Sequence, residues 1–149
     1  MYTVLYFSPQ HTVYETRVFD AVDIAELVDG QQVDSLASAD RQFDFWFDSS
    51  LRGNSRPVNL EATEVLLATP QFSPRTVPLL RGGVVVATHH PDGTLGSITN
   101  HKLAHLAQCN CVVLARHERA LACRIAREDH RRLHLSTAGP AEAARPASS

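Results

Sequence analysis

The chain has 149 residues, of which 44% are hydrophobic and 20% charged, and its formal net charge is −2. That length suits one domain with a substantial core and is short for two. No apolar run approaches a membrane span, and the opening MYTVLYFSPQ has no basic leader, so the expected location is the cytoplasm.

Tyr2 to Phe7 is rich in β-branched and aromatic residues and predicts a strand, ended by Ser8-Pro9-Gln10. Val13 to Phe19 predicts a second strand. Asp20 is placed to cap a short helix over Ala21 to Val28, with Ala21, Ile24, Ala25 and Val28 as its apolar side and Gly30 as its stop. Residues 30–41 are polar and predict a loop with at most one helical turn. From Gln42 to Asp48 the alternation is regular: Phe43, Phe45 and Phe47 face one way, Asp44, Trp46 and Asp48 the other. Ser49 to Pro57 predicts a loop turning at Gly53-Asn54.

Asn59 then caps a second helix, with Glu61 in the first turn where the helix dipole favours an acid. Thr69-Pro70 closes it, because the residue before proline is pushed out of the helical region. Ser73-Pro74 could open a further turn, but Pro78 interrupts it. Val84 to His89 predicts a strand, His90-Pro91-Asp92-Gly93 a type I turn, and Thr94 to Ile98 a returning strand. Asn100 is placed to cap a short helix through Leu106. Beyond it, residues 111–134 fit two patterns: a hairpin of Cys111 to Arg116 with Leu121 to Ala126, or a helix from Glu118 to Leu133. Residues 136–149 have the composition of a disordered tail.

The order FDFWFD, PVNLEAT and LLRGGVVVATHHPDGTLGSI resembles a family of small uncharacterised proteins carried by phages, plasmids and actinobacterial genomes. The resemblance spans residues 42–106 and rests on Asn59, Ala62, Thr63, Gly82, Val84, Val85, Val86, Asp92 and Gly93. It implies no established activity and carries over no catalytic residue.

Charge is unevenly spread: residues 1–50 sum to −7, residues 51–100 to +1 and residues 101–149 to +4. Such a gradient suits an acidic face and a basic face, which could meet partners or dock on each other. Lys102 is the only lysine beside thirteen arginines. The stretch Arg116 to Arg132 holds six arginines among Glu118, Glu128 and Asp129, so an internally paired, solvated face is the default reading.

Seven of the eight histidines and all three cysteines fall between His89 and His134. His101 and His105 share a face at i, i+4, Cys109 extends it by another turn and Cys111 lies close by, which is a possible zinc set. No C-x-x-C pair accompanies it, and solvated or half-buried histidines are the plainer reading. Three cysteines leave one unpaired, which argues against a secreted disulfide framework. His89-His90 beside the hairpin turn could respond to pH or touch a ligand, or could simply be solvated. Cys109 or Cys111 with His105 could form a nucleophile pair. The motifs H-E-x-x-H and G-x-S-x-G and a phosphate loop are all missing from the sequence. A winged-helix DNA reader is the most concrete rival, with Arg75, Thr76 and Arg81 as contacts. Pro78 inside the would-be recognition helix and the acidic first fifty residues weigh against it.

The sequence therefore predicts a single α+β domain over residues 1–135, with a small mixed or antiparallel sheet and two or three short helices. The expected role is that of a non-enzymatic accessory protein of mobile-element type that binds another macromolecule. The expected partner is a host protein or a second copy of the chain, with nucleic acid ranked behind and no membrane. No catalytic residue, binding residue, metal ligand or cofactor is assigned.

Overall fold

Two hairpins flanking one central strand build the sheet. In a computed structural model, which describes residues 1–38, 41–69, 72–111 and 115–148, the side chains of 109–111, 115 and 133–148 excepted, β1 (Tyr2–Phe7) pairs with β2 (Val13–Val18), and β3 (Val33–Ala37) pairs with β4 (Asp44–Asp48). Between them lies β5 (Val84–His89), antiparallel to β1 on one side and to β4 on the other. The sheet order is β2-β1-β5-β4-β3, with the two-residue β6 (Leu95–Gly96) on the far end of β5.

β5 is buried from Val84 to Thr88 because helices cover both faces of the sheet, as expected for a continuous apolar run. On one face, α1 (Ala21–Val28) lays Ile24 and Val28 against Val4, Val18, Val85 and Ala87. On the other, α3 (Leu60–Ala68), α4 (Asn100–Cys111) and α5 (Ala115–Ser148) pack Leu66, Leu106 and Leu121 against Phe43, Phe45, Val84 and Val86. A single turn, α2 (Leu51–Asn54), closes over the end of β4.

Local chemistry explains most boundaries. Asp20 caps α1 by accepting from the N–H groups of Val22 and Asp23, satisfying donors that the first turn leaves open. α1 ends in a left-handed Asp29 (φ 54°) rather than in Gly30. Asn59 caps α3 as expected. The cap of α4 is Thr99, whose hydroxyl accepts from the Lys102 N–H at 3.2 Å, rather than Asn100. At the hairpin tip the Gly93 N–H donates to the His90 carbonyl at 2.8 Å. Gly93 takes φ 88°, a left-handed value that glycine adopts without strain.

The helix and sheet expectations need correction. The fold is α+β with an antiparallel sheet, here of six strands, but among the described residues five helices stand where two or three short ones were predicted. β3 lies in what reads as a polar loop. Its two side chains Val33 and Leu36 pack on opposite faces of the sheet, and pairing along β4 supplies the rest, so tertiary context overrides a weak local pattern. α2 was hidden by a turn signal. Leu121 to Ala126 is helical and not a strand: Leu121 and Ile125, at i, i+4, both pack on the core. The side chains of the expected tail at 136–149 lie outside the described residues.

Candidate functional site

Of the concave places among the described residues that hold chemistry-bearing side chains, two stand out, one on each side of the sheet. The first sits where β4 and β5 end near the hairpin. Strand alternation puts Asp44 and Trp46 on the α1 face of β4, and the register that sets Asp44 opposite Ala87 brings His89 alongside. His89 Nδ1 lies 2.7 Å from Asp44 Oδ2, with the imidazole 31% and the carboxylate 16% exposed. A carboxylate oxygen can only accept, so Nδ1 carries a proton and donates it. Beside this pair the Trp46 indole nitrogen is buried with no hydrogen-bond partner. Asp44, Trp46, His89, Ala21, Leu95 and Gly93 line a cleft of about 170 Å³.

The second place is a groove of about 410 Å³ between α5 and the Pro74–Val77 turn. Arg75, Arg124, Arg127 and Arg131 line it with a single acid, Glu128, and the exposed thiol of Cys123. Arg124 is fixed: its Nη1 donates to the carbonyls of Pro74 at 3.0 Å and Val77 at 2.8 Å. Arg127 Nε donates to the Cys123 carbonyl one turn back at 3.4 Å. Arg131 and Glu128 approach at 3.5 Å on the open side. The exposed Arg75 reaches in from the facing turn.

No family model, curated protein or solved structure matches the chain. The sites are therefore read from their own chemistry.

Of the residues named as DNA contacts, Arg75 lines the arginine groove. Thr76 spends its hydroxyl locally, accepting from the Ser73 N–H at 3.0 Å. Arg81 is a packing residue. Its side chain is 12% exposed, donates to the Arg56 carbonyl at 3.1 Å and faces Asp129 at 3.7 Å. Burial and the neighbouring Arg132 hold its basicity below the ordinary arginine value, against the opposing pull of Asp129 and Glu128. Residues 74–76, where a recognition helix would begin, form a turn.

The histidine and cysteine set divides. His105 stacks on Phe43, ring centroids 6.2 Å apart and planes 11° from parallel, while His101 is exposed. The side chains of Cys109 and Cys111 lie outside the described residues, and with them the zinc and nucleophile readings. Among the described residues no three His, Cys, Asp or Glu gather as a metal site. Among them, too, no helix is long and apolar enough to cross a membrane.

At the hairpin the sequence singled out His89 but missed Asp44 and Trp46. The available signal was their common face in the FDFWFD alternation. What joins that face to His89 is the β4–β5 register, which sequence spacing does not carry.

Proposed function

We propose that this protein is a non-enzymatic accessory protein that binds an acidic segment of another protein in the groove between α5 and the Pro74–Val77 turn. The observation that carries the reading is the convergence of Arg75, Arg124, Arg127 and Arg131 on one groove with only Glu128 opposing them. Guanidinium groups match carboxylates in a planar, two-pronged geometry. Arg124, held by two carbonyls, is already ordered before a partner arrives, which lowers the entropy lost on binding.

A protein partner is favoured over nucleic acid by the net charge of −2 and the −7 carried by the first fifty residues, which repel a continuous polyphosphate. A host protein or the acidic half of a second copy both offer suitable carboxylates. The cytoplasm suits the free, exposed Cys123 thiol. The mobile-element setting rests on the resemblance of residues 42–106.

The test is fluorescence anisotropy with a labelled oligo-glutamate peptide and, separately, a labelled duplex oligonucleotide. The peptide is expected to bind at low salt, to be released as salt rises, and to be lost in the double variant Arg75→Glu, Arg127→Glu. Tighter binding of the duplex would overturn the protein-partner reading, and silence of both probes at low salt would overturn the groove itself. Sedimentation of the unlabelled protein separates a second copy from a foreign partner.

A further inference from the structure

We infer that the outer edge of β2 is a self-association surface, on which a second copy of this chain lays its own β2 antiparallel about a two-fold axis at Thr16. The surface is separate from the arginine groove and does not depend on that groove's role.

β2 ends the sheet on one side. The Ser8 N–H donates to the Thr12 carbonyl at 2.8 Å, and successive strand residues turn their backbone groups to alternate sides. Tyr14, Thr16 and Val18 therefore face β1 with their backbone groups, and Val13, Glu15 and Arg17 face outward. Such an edge is a template for another strand unless lysine, proline or a bulge protects it. β2 contains neither lysine nor proline, and it meets β1 residue for residue from Phe7↔Val13 to Tyr2↔Val18 without a bulge. Apolar surface gathers there too. Six large hydrophobic side chains are exposed among the described residues, and four of them, Val13, Tyr14, Phe19 and Val22, lie on β2 or just after it.

Charge selects the occupant and the register. With Thr16 opposite its own copy, Glu15 of each chain stands opposite Arg17 of the other. Both are outward residues, so each such pair exchanges backbone hydrogen bonds and sets an acid against a base. Tyr14 then meets Val18, and Val13 comes beside the exposed Phe19 at each end. Within its own chain neither Glu15 nor Arg17 has an ion-pair partner among the described residues. The adjacent hydrogen-bonded registers oppose Glu15 to Glu15 or Arg17 to Arg17, and like charges directly opposite are destabilising. The far edge of the sheet fits less well. The Ser49 N–H donates to the Gln32 carbonyl at 2.8 Å, so β3 turns the backbone groups of Val33, Ser35 and Ala37 outward. None of these answers the charge of Glu15 or Arg17. Pairing β2 with β2 closes on itself and joins two six-stranded sheets into one. A single strand pair buries little area, so the dimer is weak and depends on concentration.

The test is sedimentation equilibrium of the full chain over a concentration series, in which the wild type is expected to pass from monomer to dimer. Glu15→Arg and Arg17→Glu, each alone, oppose like charges in both pairs. Each is expected to weaken the dimer by about tenfold or more while keeping its circular dichroism. Mixed in equal amounts, the two variants restore opposite charges at every pair and are expected to associate as tightly as the wild type. Hydrogen exchange followed by NMR needs no variant: the amides of Glu15 and Arg17 are expected to gain protection as concentration rises, while those of Tyr14 and Thr16 are protected throughout. A wild type that stays monomeric, single variants that dimerise undiminished, or a mixture that stays monomeric would each overturn the inference. Loss of the dimer in the double variant Arg75→Glu, Arg127→Glu would move self-association to the arginine groove and overturn it equally.

Discussion

Asp48 shows how one buried acid can organise its surroundings without a cationic partner. It is 3% exposed, and its Oδ1 accepts from the Ser50 N–H at 2.9 Å and the Gln32 N–H at 3.2 Å. The chain crosses it closely enough that a Cβ at Gly53 would stand 2.3 Å from the Asp48 carbonyl oxygen, and one at Gly30 would stand 2.8 Å from its Cβ. Burial alone would raise its pKa, but donors from Ser50, Gln32 and Gln31 outweigh burial and hold it below the ordinary value. A carboxyl depressed in the folded state adds stability above its unfolded pKa, and that stability is lost as pH falls through the folded one. Urea denaturation followed against pH is therefore expected to show a decline below about pH 4 to which Asp48 contributes. Asp48→Asn, which places an amide where N–H donors converge, is expected to cost about 2 kcal/mol at pH 7 and to remove that contribution to the acid-side decline. In the sequence, Asp48 reads as the solvent side of an alternating strand. It is buried because α2 and the loop before β3 fold over it, and neither has a strong local signature.

At the scale of elements, legibility followed the strength of local chemistry. The capped helices α1 and α3 and the alternating β4 were plain from Asp20, Asn59 and FDFWFD. β3 was not, and α5 was only one of two patterns, because contacts distant in sequence decide them. α5 is tied down through backbone carbonyls: Arg124 reaches those of Pro74 and Val77, and Arg132 Nη1 reaches that of Arg56 at 3.0 Å. The arginine-rich stretch is thus partly a set of straps, which its charge pattern alone does not reveal. Where α3 approaches α5 the match is poorer. Burial first, then Glu118 and Glu61, raise the pKa of Glu64. A carboxyl raised in the folded state makes stability fall as pH climbs from its unfolded to its folded pKa, and the penalty is complete above the latter. Glu64→Gln is expected to raise Tm by about 2 °C at pH 7 and to flatten the pH slope just above pH 4.5, as checked by thermal denaturation across pH.

Across the whole molecule, residues that look like a signature turn out to be joints. Asn59 is 3% exposed. Its Oδ1 accepts from the Ala62 N–H at 3.2 Å, and its amide nitrogen donates to the carbonyls of Phe7 at 2.9 Å and Gly82 at 2.8 Å. The Thr63 hydroxyl bonds the Asn59 carbonyl at 2.8 Å and accepts from the Leu80 N–H at 3.1 Å. Asp92 accepts from both the N–H and the hydroxyl of Thr94, and these bonds hold its carboxyl below the usual range. The residues that stand out over 42–106 in the sequence therefore have a folding reason at these positions, while the two concave sites draw on others.

The Asn59 amide closes two loops at once, with partners 52 and 23 residues away along the chain. Loops of that length close only after their ends are brought together by sheet and core, so the clasp belongs to the downhill side of the folding barrier. Asn59→Ala, which removes a cap and orphans buried carbonyls, is expected to cost about 3 kcal/mol. In stopped-flow chevrons nearly all of that loss should appear as faster unfolding, with the refolding rate almost unchanged. A single carboxamide would then set the lifetime of the native state and leave the speed of its formation to β1, β4 and β5.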